Sequence, residues 1–256
     1  MTPEQPIAVI DSGIGGLSVL RELVALMPNE NYIFFGDSAN APYGTKPVSK
    51  VRELAFASAE MMIKRGIKAL VIACNTATSA AAELLRKKYP DLIIIGIEPA
   101  LKPAVLAKKN PTVIVMATPL TLQRDKFLSL MNRYTDDAHI IPLPCPGLPE
   151  LVESGCFHGD ELRSYLKRLF SPFDKKRIDS IVLGCTHYPL IKGEIIKAFG
   201  HNVEVFDGCE GTAHHTQCRL AEAGLLTSST QKGTIELNNS LGTEKMLKME
   251  QMILNL

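Results

Sequence analysis

Two cysteines hold the chemistry this chain shows most plainly. Cys74 ends the run Leu70-Val71-Ile72-Ala73, and Cys185 ends Ile181-Val182-Leu183-Gly184. Polar residues follow each one, Asn75-Thr76 in the first case and Thr186-His187 in the second. A lone free cysteine is usually an inert, buried small hydrophobe. The same setting met twice, 111 positions apart (185 minus 74), points instead to two groups with a shared task. A thiolate is a base and a nucleophile, and a helix N-terminus lowers a thiol pKa from about 8.5. His187, two residues beyond Cys185, can tune that thiol or share its proton. A Cys-His hydrolase is the rival chemistry, and it leaves the second cysteine without a role. Cys145, Cys156, Cys209 and Cys218 lack this setting and read as packing residues.

Two loops add to the pattern. Asp11-Ser12-Gly13-Ile14-Gly15-Gly16 follows an apolar run and opens a helix, where backbone N–H groups can bind an anion. It is not a dinucleotide fingerprint, because Ser18 stands where a third glycine would fall. A tight turn that needs glycine for positive φ explains it equally well. The stretch from Gly36 to Gly44, GDSANAPYG, is dense in turn formers.

The elements that must position these residues follow an α/β rhythm. Strands are expected at Ile7–Asp11, Tyr32–Gly36, 69–74, 92–97, Thr112–Ala117, 139–143, 180–184 and 203–206. Their near-continuous apolar character predicts parallel sheets covered on both faces. Helices are expected over 46–65, 76–88, 121–131, with Thr121 as N-cap, and 243–255. The repeated strand-cysteine unit predicts two similar α/β domains with mainly parallel sheets flanked by helices and the active site in the cleft between them. The first would comprise 1–98 plus 209–256, and the second 99–208.

Composition narrows the function. The 256 residues are 46% hydrophobic and 21% charged with a net charge of +1, which gives no electrostatic footprint for nucleic acid or an anionic membrane. The first residues lack the basic and apolar regions of a signal peptide, so a cytoplasmic protein is expected. The cysteines contain no Cys-x-x-Cys pair, and no metal or cofactor is expected. The partner is a small molecule, and a homodimer is left open.

DSGIGGLSVL from Asp11, GDSANAPYGTKP from Gly36, ACNTAT from Ala73 and GCTHYPLI from Gly184 together resemble the glutamate racemase family, with PCPGLPELVESG from Pro144 in support. The resemblance implies a two-domain isomerase that interconverts L- and D-glutamate without pyridoxal phosphate, metal or nucleotide and supplies D-glutamate for peptidoglycan. It implies that Cys74 and Cys185 are the two acid/bases, with Asp11 assisting near Cys74 and His187 near Cys185, and with Asp37 and Glu153 as acidic neighbours. Substrate binding would fall to Asp11, Ser12, Pro42, Tyr43 and Gly44 from the first loops, and to Asn75, Thr76, Thr118, Thr121, Thr186 and His187 farther on. The chain departs from the family pattern at Asn40, at 117–121, at Asp207-Gly208 and in the tail NNSLGTEK from Asn238. The same cysteine chemistry on aspartate, and a catalytically silent anion-binding protein, are the competing readings.

Overall fold

Nine strands, all in parallel pairings, make two sheets in the computed structural model, which describes residues 1–200 and 203–255. Positions 201, 202 and 256, which the expected domain ranges include, lie outside the described residues. The strands are β1 (Ile7–Asp11), β2 (Tyr32–Gly36), β3 (Ala69–Ile72), β4 (Ile93–Gly96), β5 (Thr112–Ala117), β6 (His139–Pro144), β7 (Ser180–Leu183), β8 (Glu204–Asp207) and β9 (Ile235–Asn239). The helices are α1 (Leu17–Leu26), α2 (Val48–Ile63), α3 (Asn75–Lys88), α4 (Leu101–Leu106), α5 (Pro119–Leu122), α6 (Asp125–Asn132), α7 (Leu148–Glu153), α8 (Asp160–Phe170), α9 (Lys192–Phe199), α10 (Cys209–Glu222) and α11 (Glu244–Leu254).

The first sheet has the order β4-β3-β1-β2-β9 and the second β6-β5-β7-β8. Read from the opposite edge, the second becomes β8-β7-β5-β6, the same topology as β4-β3-β1-β2. The sequence repeat is therefore a repeat of architecture, and β3 and β7 occupy equivalent positions beside the first strand of their sheets.

Strand periodicity builds the core. Ile7 and Val9 face a cluster that includes Leu17 and Leu20 of α1, whereas Ala8 and Ile10 face one that includes Val51 of α2 and Leu85 of α3. Covered on both faces, β1, β3 and β7 are buried along their whole length, as continuous apolar runs require. Each buried Val, Leu or Ile of these strands contributes about 1.5–3 kcal/mol relative to exposure.

Several expected bounds shift. The helix expected over 121–131 is divided into α5 and α6, and its first N-cap is Thr118, whose side chain accepts the Thr121 N–H. Pro119 explains the start, because proline suits the first turn of a helix where its missing N–H costs nothing. The edge strand β9 is unmarked in the sequence: Ile235 and Leu237 alternate with Glu236 and Asn238 and leave only a weak pattern. It pairs with β2 so that Asn239 lies opposite Gly36. Among the described residues, no helix is long and apolar enough to cross a membrane.

Candidate active site

Parallel strands bring their carboxyl ends to one rim, and ligands gather beyond that rim. Asp11 ends β1, and Cys74 lies two residues past β3. Cys185 lies two residues past β7, on the other sheet. Both thiols line one narrow cavity, together with Ser12, Pro42, Tyr43, Gly44, Asn75 and Thr76 from the first sheet's loops. Thr118, Pro149, Gly184, Thr186 and His187 close it from the second.

The two cysteines are held differently. Cys74 is the N-cap of α3, and its Sγ accepts the Ala77 N–H at 3.4 Å. Cys185, unlike Cys74, does not open an α-helix. A short 3₁₀ turn, Tyr188–Ile191, intervenes before α9, and the thiol lies 3.7 Å from Nδ1 of His187. Each cysteine thus has its own proton environment.

Burial also reverses the expected effect of the helix end on Cys74. Desolvation, helped by the nearby Asp11 charge, pushes this thiol up to about 12, against the Ser12 and Ala77 hydrogen bonds that favour the thiolate. At neutral pH Cys74 is therefore a thiol.

The carboxylates lie behind these groups rather than on the cavity wall. Asp11 accepts the Gly13 N–H at 3.0 Å through Oδ1 and the Thr186 hydroxyl at 3.1 Å through Oδ2, so it joins the two sheets. Burial raises its carboxyl to about 6, although His187 and the donated hydrogen bonds oppose the shift. Asp37 reaches the cavity only through Tyr43, whose hydroxyl donates to it at 2.7 Å, and it also accepts from Asn40 at 3.0 Å. The departure at Asn40 thus has a local function as a donor to Asp37.

Glu153, the last residue of α7, accepts from His187 Nε2 at 2.6 Å, from the Ser38 hydroxyl and from the Ile14 N–H at 3.1 Å. Burial would raise its carboxyl, but His187, Ser38 and Ile14 together hold it below its ordinary value. Desolvation disfavours the His187 imidazolium, yet Cys185 and Glu153 carry it well above the ordinary histidine value. His187 is the positive member of a buried pair.

Glu153 also corrects the reading of the glycine-rich loop. The N–H of Ile14 at the loop's helix start is used by Glu153, a carboxylate of the chain itself. Gly13, Gly15 and Gly16 have no positive φ. Gly13 and Gly15 are small because the domains touch there, whereas Gly16 is crowded by Asp11 and Phe34 of its own sheet: a Cβ on Gly13 would run into the Glu153 carboxylate. On Gly15 it would lie 2.6 Å from Thr186 Oγ1 and 2.8 Å from the His187 backbone nitrogen.

Thr76, Thr118 and Thr121 form a buried hydroxyl triangle with sides of 2.9–3.1 Å. Only Thr76 and Thr118 of the three face the cavity. Pro149 and Gly184 line it without having been marked as site residues. Gly184 was legible only as part of the second cysteine motif, and Pro149 only as part of PCPGLPELVESG. Among the described residues, no three His, Cys, Asp or Glu side chains are grouped to hold a metal ion.

Thiols approaching one cavity from two facing parallel sheets define a two-domain α/β enzyme with its site in the cleft. A profile of the Asp/Glu/Hydantoin racemase family matches residues 7–216. A glutamate racemase of Clostridium novyi strain NT is 50% identical over 99% of this chain and 98% of its own length. One of Clostridium perfringens strain ATCC 13124 is 48% identical over 98% and 96%. The crystal structure of glutamate racemase from Francisella tularensis in complex with D-glutamate superposes with a TM-score of 0.86 at 29% identity, covering 99% of this chain and 95% of that one. The chain belongs to the Asp/Glu/hydantoin racemase family and is an isomerase.

Proposed function

We propose that this enzyme interconverts L- and D-glutamate by a two-base exchange of the α-proton. One observation carries the reading: a thiol from each of two equivalent strand ends lines the same cavity. With L-glutamate bound, Cys185 as thiolate removes the α-proton from one face, and the Cys74 thiol delivers its proton to the other. The product is D-glutamate, with Cys185 now protonated and Cys74 a thiolate. Reversal runs the same path from the D-enantiomer, which suits exchangeable acid and base groups. The protonated resting state of Cys74 supports its role as the first donor to L-glutamate.

Ser12, Asn75, Thr76, Thr118, Thr186 and the Gly44 loop offer hydroxyl, amide and backbone donors for the two carboxylates. Thr121 acts through Thr76 and Thr118, and Pro42 and Tyr43 shape the wall. Fixed donors of this kind also stabilise the carbanionic transition state. Asp11 polarises the Cys74 side, and the His187–Glu153 pair serves Cys185. The relatives named above support glutamate as the substrate, and peptidoglycan synthesis is the use of its D-enantiomer. The chain crosses between sheets after β4 and again after β8, which supports a division into 1–98 plus 209–256 and 99–208.

Incubation with L-glutamate in D₂O tests the reading. D-glutamate carrying α-deuterium is expected, and exhaustive EDTA treatment leaves the rate unchanged. Formation of D-glutamate that retains the original α-proton would exclude exchange at the thiols, and faster turnover of aspartate would exclude glutamate as the substrate.

A further inference from the structure

Glu250 of α11 is completely buried, although α11 contributes nothing to the cavity wall. A buried carboxyl is costly beside an apolar residue of similar size, so its partners explain its presence. Its Oε1 accepts from Asn239 Nδ2 at 2.8 Å, and its Oε2 has no hydrogen-bond partner among the described residues. The same Asn239 nitrogen donates its second hydrogen to the Ser38 hydroxyl at 2.9 Å. Ser38 in turn donates to Glu153, and Glu153 meets His187 beside Cys185. The amide cannot easily turn over, because its Oδ1 accepts the Leu241 N–H at 3.0 Å. One unbroken line of hydrogen bonds thus runs from the C-terminal helix to Cys185.

We propose that Glu250 and Asn239 are positioning residues for the Cys185 half of the reaction. On the racemase reading, they hold Ser38 as a donor to Glu153, which fixes the carboxylate against His187. Glu153 comes from the second domain, whereas Ser38, Asn239 and Glu250 come from segments packed on the first sheet. The tail therefore sets a proton-handling group across the domain cleft. Burial pushes the Glu250 carboxyl up to about 7, countered by Asn239 and reinforced by Glu153. A neutral amide is accordingly a close replacement, and what the line needs from position 250 is an acceptor.

The test reads each face separately. Racemisation has an equilibrium constant of one, so kcat/KM must be equal in both directions for every variant and cannot separate the faces. Glutamate analogues with a leaving group on the β-carbon can, because elimination needs one α-proton abstraction and expels the group with its electron pair. Glu250→Leu and Asn239→Leu should each slow elimination from the L-analogue by about 10-fold or more, because small displacements of a catalytic group are costly. The D-analogue, deprotonated by Cys74, should stay within about twofold of wild type. Glu250→Gln should restore the L-rate, since its carbonyl oxygen can accept from Asn239. Equal loss with both analogues, loss with the D-analogue alone, no loss, or failure of Glu250→Gln to restore the rate would overturn the proposal. Using both Leu variants guards against one that fails to fold. Absence of elimination by the wild type itself would count against the two-thiol reading and not against the line from Glu250.

Discussion

The carboxylate of Glu153 lies 2.6 Å from Nε2 of His187, while Nδ1 of the same ring lies 3.7 Å from the Cys185 sulfur. The imidazole is therefore gripped on one side by a charge and presents its other nitrogen to a thiol. Glu153→Gln should lower kcat by about 10²-fold, within the range for a general acid–base partner. His187 is raised by both Cys185 and Glu153, so removal of the negative charge lowers it. The alkaline limb of kcat against pH should move to lower pH, and an unmoved limb would remove the pair from the reaction.

Serine at position 74 or 185 should abolish racemisation, since a hydroxyl is a far poorer base than a thiol near neutral pH. Each variant keeps one competent face. With β-substituted analogues, Cys74→Ser should retain elimination from the L-enantiomer through Cys185, and Cys185→Ser from the D-enantiomer through Cys74. Unchanged relative rates for both enantiomers in both variants would refute opposite-face chemistry.

Gly15→Ala tests the contact between the domains. The added Cβ would lie 2.8 Å from the His187 backbone nitrogen, which cannot swing aside as a side-chain end would. Overpacking of this kind costs about 1–3 kcal/mol. Activity should fall much more than helix content, as measured by turnover and far-UV circular dichroism, because the displaced groups are those beside Cys185. Wild-type turnover would show that the contact is slack.

Asp11 gives a pH signature in stability. Its carboxyl is raised from 3.8 to about 6 in the folded protein, so between these values the folded state holds a proton that the unfolded state has lost. Stability from this group is present below about pH 4 and falls as pH rises to about 6, by about 3 kcal/mol for a shift of this size. Asp11→Asn should lack that fall, so the variant should gain on the wild type across this window in urea denaturation. A constant difference from pH 4 to 7 would contradict it.

Thiol labelling should follow burial and protonation. Cys74 is buried and protonated at neutral pH, whereas Cys218 is exposed. Peptide mass spectrometry should find Cys218 alkylated first with turnover intact. Activity should disappear with labelling of Cys74 or Cys185, and glutamate should slow that loss. Full labelling of both with activity retained would defeat the assignment.

The sequence by itself determined eight of the nine strands, the sheet type and the paired cysteines, because these depend on local patterns. Short apolar runs such as Ala69–Ile72 and Ser180–Leu183, rich in Val and Ile and bounded by loops, suit a strand covered on both faces, as in a parallel sheet. A residue just past such a strand must stand on the carboxyl rim, which makes Cys74 and Cys185 legible as site residues. Tertiary structure decided what each group meets there. Whether the helix end or desolvation governs Cys74 depends on packing across the cleft, and desolvation prevails. The small residues at 13 and 15 could not reveal their purpose, because Glu153 and His187 approach them from more than 130 positions away. The sequence was equally silent on Asn239 and Glu250, since a weakly patterned edge strand and one carboxyl on an amphipathic helix acquire meaning only when folding aligns their hydrogen bonds with Ser38.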